Sequence, residues 1–135
     1  MTKMDRAVCG HAAQHYVCFD LARRGLSTFN NPFEHSPYDI IADHRGRLLR
    51  IQVKGTSAPY VAERSRVNSK WTVNAYQFHI CEKQLEVCDL IAFVAVDLQT
   101  IIYRTPATLE NKTGIQFKPD VMQLGCDKDL LTILA

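Results

Sequence analysis

The spacing of apolar positions changes from helical to alternating within the first 54 residues of the chain. Ala7, Val8, Ala12, Tyr16, Phe19 and Leu21 recur near the helical repeat, and alanine favours that conformation. Arg23 and Arg24 precede Gly25. Cations beside the last carbonyls, then a residue without a Cβ, predict that the helix stops there. Leu26-Ser27-Thr28-Phe29 suits a short strand, broken by Asn30-Asn31-Pro32. Tyr38 to Ala42 is an apolar run with one acid inside it, Asp39, and Asp43-His44-Arg45-Gly46 has turn composition. From Leu48 to Lys54 the chain alternates. Leu49, Ile51 and Val53 point one way, and Arg50, Gln52 and Lys54 the other. The pattern predicts a β-hairpin with Asp39 near Gln52 across it.

Beyond residue 54 the pattern weakens. Gly55 to Asn68 reads as a loop or ragged strand end, Lys70 to Val73 as a strand, and Ala75 to Leu85 as a short helix. Leu90 to Val96 is a continuous apolar run suited to a buried central strand. Ile101-Ile102-Tyr103 predicts a further strand, and Thr105-Pro106 a helix start. Residues 114–135 show no clear period. The expected fold class is α/β: one mixed sheet flanked by helices, in a single domain over residues 1–135. Trp71 and Tyr76 are expected in the core, and the cysteines as small buried hydrophobes.

Composition supports one domain with a real core, since 47% of the 135 residues are hydrophobic. No stretch reaches the roughly eighteen apolar residues of a membrane span. Residues 1–6 lack a leader's apolar region. Five cysteines are an odd number, with no C-x-x-C pair, and Cys81 and Cys88 fit no common zinc spacing. Reduced thiols in a cytoplasm are the expectation. The net charge of +2 hides an uneven distribution. Residues 44–83 hold eight basic and two acidic side chains, whereas residues 1–43 hold four and five and residues 84–135 four and seven. A basic middle points to a polyanion partner, with solvated surface charge as the alternative. Arg45, Arg47, Arg64, Arg66 and Lys70 are the candidates for contact with a nucleic-acid backbone or other polyanion, and Ser36 for a phosphate hydrogen bond or a turn.

A carboxylate inside an apolar strand must be paired, protonated or bound to a cation. Asp39 is followed thirteen residues later by Gln52, with Lys54 on the same strand face. Metal-assisted phosphodiester hydrolysis needs such a group. A carboxylate and a carbonyl oxygen suit Mg²⁺, which prefers oxygen ligands. The metal polarises the phosphoryl oxygen and acidifies a bound water. A nearby lysine orients that water or offsets developing charge.

Pro37-Tyr38-Asp39 followed by Ile51-Gln52-Val53-Lys54 resembles the PD-(D/E)xK nuclease signature. Upstream, Gly10-His11-Ala12-Ala13-Gln14 and the helix ending Leu21-Ala22-Arg23-Arg24-Gly25 extend the likeness. The layout, including Ser36-Pro37-Tyr38-Asp39, is similar to archaeal Holliday-junction resolvases and intron-type homing endonucleases, with G-x-x-x-E, then SPYD, then E/Q-V-K. A vaguer similarity continues through Val87 to Ile91 and Ile102 to Pro106.

The resemblance implies a restriction-endonuclease-like mixed sheet core and an Mg²⁺-dependent endodeoxyribonuclease, with Mn²⁺ able to substitute. It makes Asp39 the principal metal ligand, puts Gln52 in place of a second acid, lets the Val53 carbonyl complete the site, and makes Lys54 the catalytic lysine. Gln14 falls where a helix-one glutamate usually sits. Gln14 and Gln52 both replace acids, so three readings stay open: a weak site completed by DNA phosphates, an inactivating change at Gln14, or a natural pseudo-enzyme. His11, Glu34 and His35 read as surface or loop positions rather than ligands. A site-specific homing-type enzyme on double-stranded or branched DNA is the leading reading. A junction resolvase and a catalytically impaired DNA-binding module are the alternatives, and an interaction subunit of a larger complex is a weaker one. A homodimer or higher oligomer follows from the need to cut two strands.

Overall fold

Helix α1, Arg6–Arg23, starts where the Asp5 carboxylate accepts a hydrogen bond from the Ala7 N–H at 2.9 Å, which satisfies one of the first-turn donors. Gly25 follows its end at φ 88°, a left-handed value that costs glycine nothing. The buried face is Cys9, Ala13, Val17 and Leu21, a ridge of every fourth residue. It is not the face expected from Val8 and Phe19, which are 56% and 64% exposed. The small ridge residues let α1 lie close to the sheet. A Cβ built on Gly55 would stand 2.5 Å from the Ala13 Cβ, so that glycine is needed for close approach. In the computed structural model residues 4–135 are described. Residues 1–3, part of the stretch read as lacking a leader, lie outside them.

The chain continues as β1 (Ser27–Asn30), β2 (Ile40–His44), β3 (Arg47–Thr56), β4 (Tyr60–Arg66), β5 (Ser69–His79), α2 (Glu82–Val87), β6 (Leu90–Ala95), β7 (Thr100–Arg104), β8 (Gly114–Phe117), α3 (Pro119–Leu124) and α4 (Lys128–Leu134). A five-stranded sheet has the order β1-β2-β3-β6-β7, and a three-stranded one the order β4-β5-β8. Only the β3–β6 pairing is parallel, so the larger sheet is mixed. The β2–β3 hairpin closes through Arg45 and Gly46 at φ 53° and 87°, two left-handed residues whose twist matches that of the strands. Its register pairs Ile40 with Ile51. Leu49, Ile51 and Val53 thus join Ala92 and Val94 beneath α1. The other face of β6 carries Ile91 and Phe93 into a second core with Tyr76, Phe78, Phe117 and Met122. There the rings of Phe78, Phe93 and Phe117 meet edge to face at 5.0 to 6.0 Å.

Several expectations are corrected. The first strand of the hairpin begins at Ile40, so Asp39 stands just ahead of it. Residues 60–66 form β4 rather than a loop. The segment expected as a helix over 75–85 is strand to His79, followed by the short α2. Tyr76, Phe78 and Ile80 are buried at every second position, which is strand spacing. Thr105-Pro106 opens turns, not a helix. Its first N–H goes to Asp129 at 2.9 Å, and Glu110 and Asn111 adopt φ near +55°. Trp71 is 41% exposed, whereas Tyr76 is buried. Of the cysteines, Cys9 and Cys88 are buried, Cys18 and Cys126 half-buried and Cys81 exposed. No helix among the described residues is long and apolar enough to cross a membrane.

Candidate metal-dependent active site

Asp39 continues the β2–β3 register by one step, opposite Gln52. Its N–H donates to the Ile51 carbonyl at 2.9 Å. Its Oδ2 accepts from the Val53 N–H at 3.0 Å. The carboxyl group is half-buried. Burial pushes its pKa up, opposed by the Val53 N–H and by the Lys54 charge. Lys54 lies two residues beyond Gln52 on the same face of β3. Burial lowers its pKa, opposed by Asp39 and by the thiols of Cys81 and Cys88. Each charge of the pair is therefore disfavoured by desolvation and favoured by the other.

Gln52 lies between them and is 6% exposed. Its Nε2 donates to the Val53 carbonyl at 3.2 Å. Its Oε1 is buried with no hydrogen-bond partner among the described residues. An orphaned buried acceptor is costly, and most are found satisfied. Asp39, the Gln52 amide and the Val53 carbonyl together offer oxygens only. That donor chemistry fits a hard divalent cation, which would also satisfy Oε1. No three His, Cys, Asp or Glu side chains gather as a metal cage among the described residues. This agrees with amides standing where the resemblance expects acids.

Gln14 of α1 shares a cleft with Asp39. The cleft, of ≈ 480 Å³, has His11, Gln14 and His15 on one wall and Glu34 and Asp39 on another. Gln14 Nε2 donates to Asn30 Oδ1 at 3.0 Å, which ties the helix to the end of β1. The loop carrying Asp39 is organised by Asn31. Its Nδ2 donates to Ser36 Oγ at 2.6 Å and to the Tyr38 carbonyl at 3.2 Å, and its N–H donates to the Asp39 carbonyl. Cys88 Sγ holds the other side through the Pro37 carbonyl at 3.0 Å. Asn30, Asn31 and Cys88 were not identified from the sequence. The paired asparagines read only as a strand breaker, and Cys88 becomes a neighbour only through tertiary packing.

The structure thus places Asp39 opposite Gln52 with Val53 and Lys54 next to it on β3, puts Gln14 in a cleft with Asp39 but not with the other three, and leaves the basic candidates at two separate ends. Arg45 and Arg47 sit at the hairpin tip, roughly 17 Å along β2 from Asp39 at ~3.3 Å per residue. Arg47 is tied to α4, donating to the Ile133 carbonyl at 2.9 Å. Arg64, Arg66 and Lys70 lie on the β4–β5 ribbon, beyond the opposite end of β3, and all three are exposed. Ser36 stays in the loop before Asp39, half-buried, its hydroxyl oxygen accepting from Asn31.

A family model described as PD-(D/E)XK endonuclease matches residues 4–119. Among solved structures, the chain is similar to a bacterial homing endonuclease, I-Ssp6803I, with a TM-score of 0.63 at 15% identity, covering 84% of this chain and 75% of that one. At that identity the likeness concerns the fold: a restriction-endonuclease-like mixed sheet with flanking helices. Curated proteins give no match.

Proposed function

The chain belongs to the PD-(D/E)XK endonuclease family, and from that membership we propose that it is a metal-dependent, site-specific DNA endonuclease of the homing type. Its hydrolytic centre is Asp39, Gln52, Val53 and Lys54, with Gln14 in the cleft that Asp39 lines. The observation that carries this reading is the buried, unpartnered Gln52 Oε1 in line with a desolvated Asp39 and Lys54.

Asp39, Gln52 Oε1 and the Val53 carbonyl would hold Mg²⁺, with Mn²⁺ as a substitute. Such an ion, when bound, would supply polarisation of the scissile phosphate and a more acidic water. The chain's own residues do the rest. The Val53 N–H fixes one Asp39 oxygen, so the carboxylate is aimed without rearrangement. Burial makes the Lys54 ammonium easier to deprotonate than an ordinary lysine. In its neutral form it can take a proton from the attacking water, and in its charged form it offsets negative charge on the phosphate. Gln14, an amide with both donor and acceptor, orients water at the cleft wall. Arg45 and Arg47 at one end, Arg64, Arg66 and Lys70 at the other, and Ser36 beside the centre contact the DNA. Two strands require two such centres, so the active form is a homodimer or higher homo-oligomer.

The homing-type assignment rests on the Gln-Val-Lys spelling together with the likeness of fold. The absence of a multi-acid cage among the described residues favours one second reading, a DNA-binding module of impaired activity. Incubation with a plasmid carrying a duplex selected by binding and with four-way-junction DNA, in Mg²⁺, Mn²⁺ or EDTA, separates them. Metal-dependent cutting of the plasmid at one place supports the proposal. Cutting of the junction alone would make the chain a resolvase, and binding without cutting would make it a binding module.

A further inference from the structure

The β4–β5 ribbon is a part of the molecule that the hydrolytic centre does not use. It is a two-stranded antiparallel hairpin, with Val61 opposite Asn74, Glu63 opposite Thr72 and Ser65 opposite Lys70. Strand alternation puts all six on one face, and all six are exposed. An isolated hairpin of this kind is only marginally stable in water and normally needs a core or a partner.

The two faces differ in kind. One carries Arg64 and Arg66, whose guanidinium groups lie 5.9 Å from the Tyr60 ring and 5.6 Å from the Trp71 ring. Ala62 and Val73 on that face are half-buried. The other face presents Glu63, Ser65, Lys70, Thr72 and Asn74, none of whose side chains has a hydrogen-bond or ion-pair partner among the described residues. Further along β5 the same alternation carries Tyr76 and Phe78 into the second core. The polar row is therefore the free overhang of an inward-looking face. A concavity of ≈ 540 Å³ is lined by Glu63, Ser65, Lys70 and Thr72 of this row together with Arg64 and Trp71.

We propose that this row reads base edges in the major groove of the DNA that the enzyme cuts, an inference that rests on the endonuclease reading above. The dimensions agree. The major groove, about 12 Å wide, admits a two-stranded β-ribbon. The six steps from Tyr60 to Arg66 extend roughly 20 Å, the length of about six base pairs. The chemistry agrees as well. Lysine suits guanine acceptors, asparagine suits adenine, glutamate accepts from cytosine, and threonine accommodates the thymine methyl group. Arg64, Arg66 and Lys70 against Glu63 leave the ribbon net positive, so it complements a duplex. The long arginine side chains on the opposite face reach the phosphates flanking the groove.

The test is selection of bound duplexes from a randomised DNA pool in EDTA, at fixed salt, for the wild-type chain and for Thr72→Ala, Asn74→Ala and Lys70→Ala. These residues are exposed, so the variants retain the fold. The wild type should select a block of about six base pairs, and each variant should lose roughly tenfold discrimination at one or two positions in it. A wild-type preference that survives all three substitutions would overturn the inference, as would binding with no base preference at all. Because the selection needs no cleavage, a base preference in a chain that never cuts DNA would leave this inference standing while removing the endonuclease reading.

Discussion

At the scale of single residues, burial works against both charges of the centre. The folded Asp39 holds its proton to higher pH than the unfolded chain does. The folded state then binds more protons, so stability falls as pH rises from about 4 upward through the raised pKa. Lys54 acts in the opposite sense, losing its proton earlier when folded, so its contribution to stability rises as pH climbs from the lowered pKa toward that of an ordinary lysine. Asp39→Asn should remove this fall from a urea-unfolding pH series; a fall of the same size in the variant would place its origin elsewhere. Metal binding needs the carboxylate ionised, so affinity should begin to weaken at a higher pH than for a solvated aspartate. Gln52→Glu adds a charge where an amide oxygen lacks a partner. It should tighten Mn²⁺ binding, followed by calorimetry, by roughly tenfold. An unaltered titration would argue that Gln52 is not a ligand.

At the scale of elements, α1 depends on a glycine in the strand beneath it. Gly55→Ala would drive a methyl group to 2.5 Å from Ala13 Cβ. The variant should lose about 1–3 kcal/mol in denaturant unfolding, and adding Ala13→Gly should restore part of it. Loss without any rescue would point to strain elsewhere in β3. The elements also show which parts of the sequence were readable. The β2–β3 hairpin was legible because its alternation and left-handed Arg45-Gly46 turn agree, and the register then placed Asp39 opposite Gln52. Helix α1 was legible in extent but not in face. Large exposed residues such as Phe19 outweighed the small Cys9 and Ala13 that contact the sheet. Strand β4 was obscure because it has no buried residue, which leaves no alternation to detect, whereas Lys70 to Val73 read as the strand that it forms within β5. The candidate metal ligands and Lys54 were within reach of sequence because they are local to one hairpin. Asn30, Asn31 and Cys88 support them through bonds that only the tertiary fold reveals.

At the scale of the whole molecule, the basic middle of the chain divides between the hairpin tip and the β4–β5 ribbon, with the cleft between. DNA affinity should fall linearly with the logarithm of salt concentration. Arg64→Ala and Arg66→Ala should each lower the slope by about 0.9 if each meets one phosphate. Slopes equal to the wild type would remove those residues from the interface. Arg45→Gly offers a cleaner probe at the other end, because φ 53° at that position suits glycine and the charge is lost without disturbing the turn. The account depends most on the cleft being a hydrolytic centre rather than a polar seam. Its most direct test is the rate at which the wild type, Asp39→Ala and Lys54→Ala cleave, in Mg²⁺, a supercoiled plasmid carrying a duplex selected by binding, with DNA binding followed in parallel. The account predicts cutting by the wild type, a fall of about 10²-fold or more in both variants, and binding largely retained. Normal cleavage in either variant would contradict it.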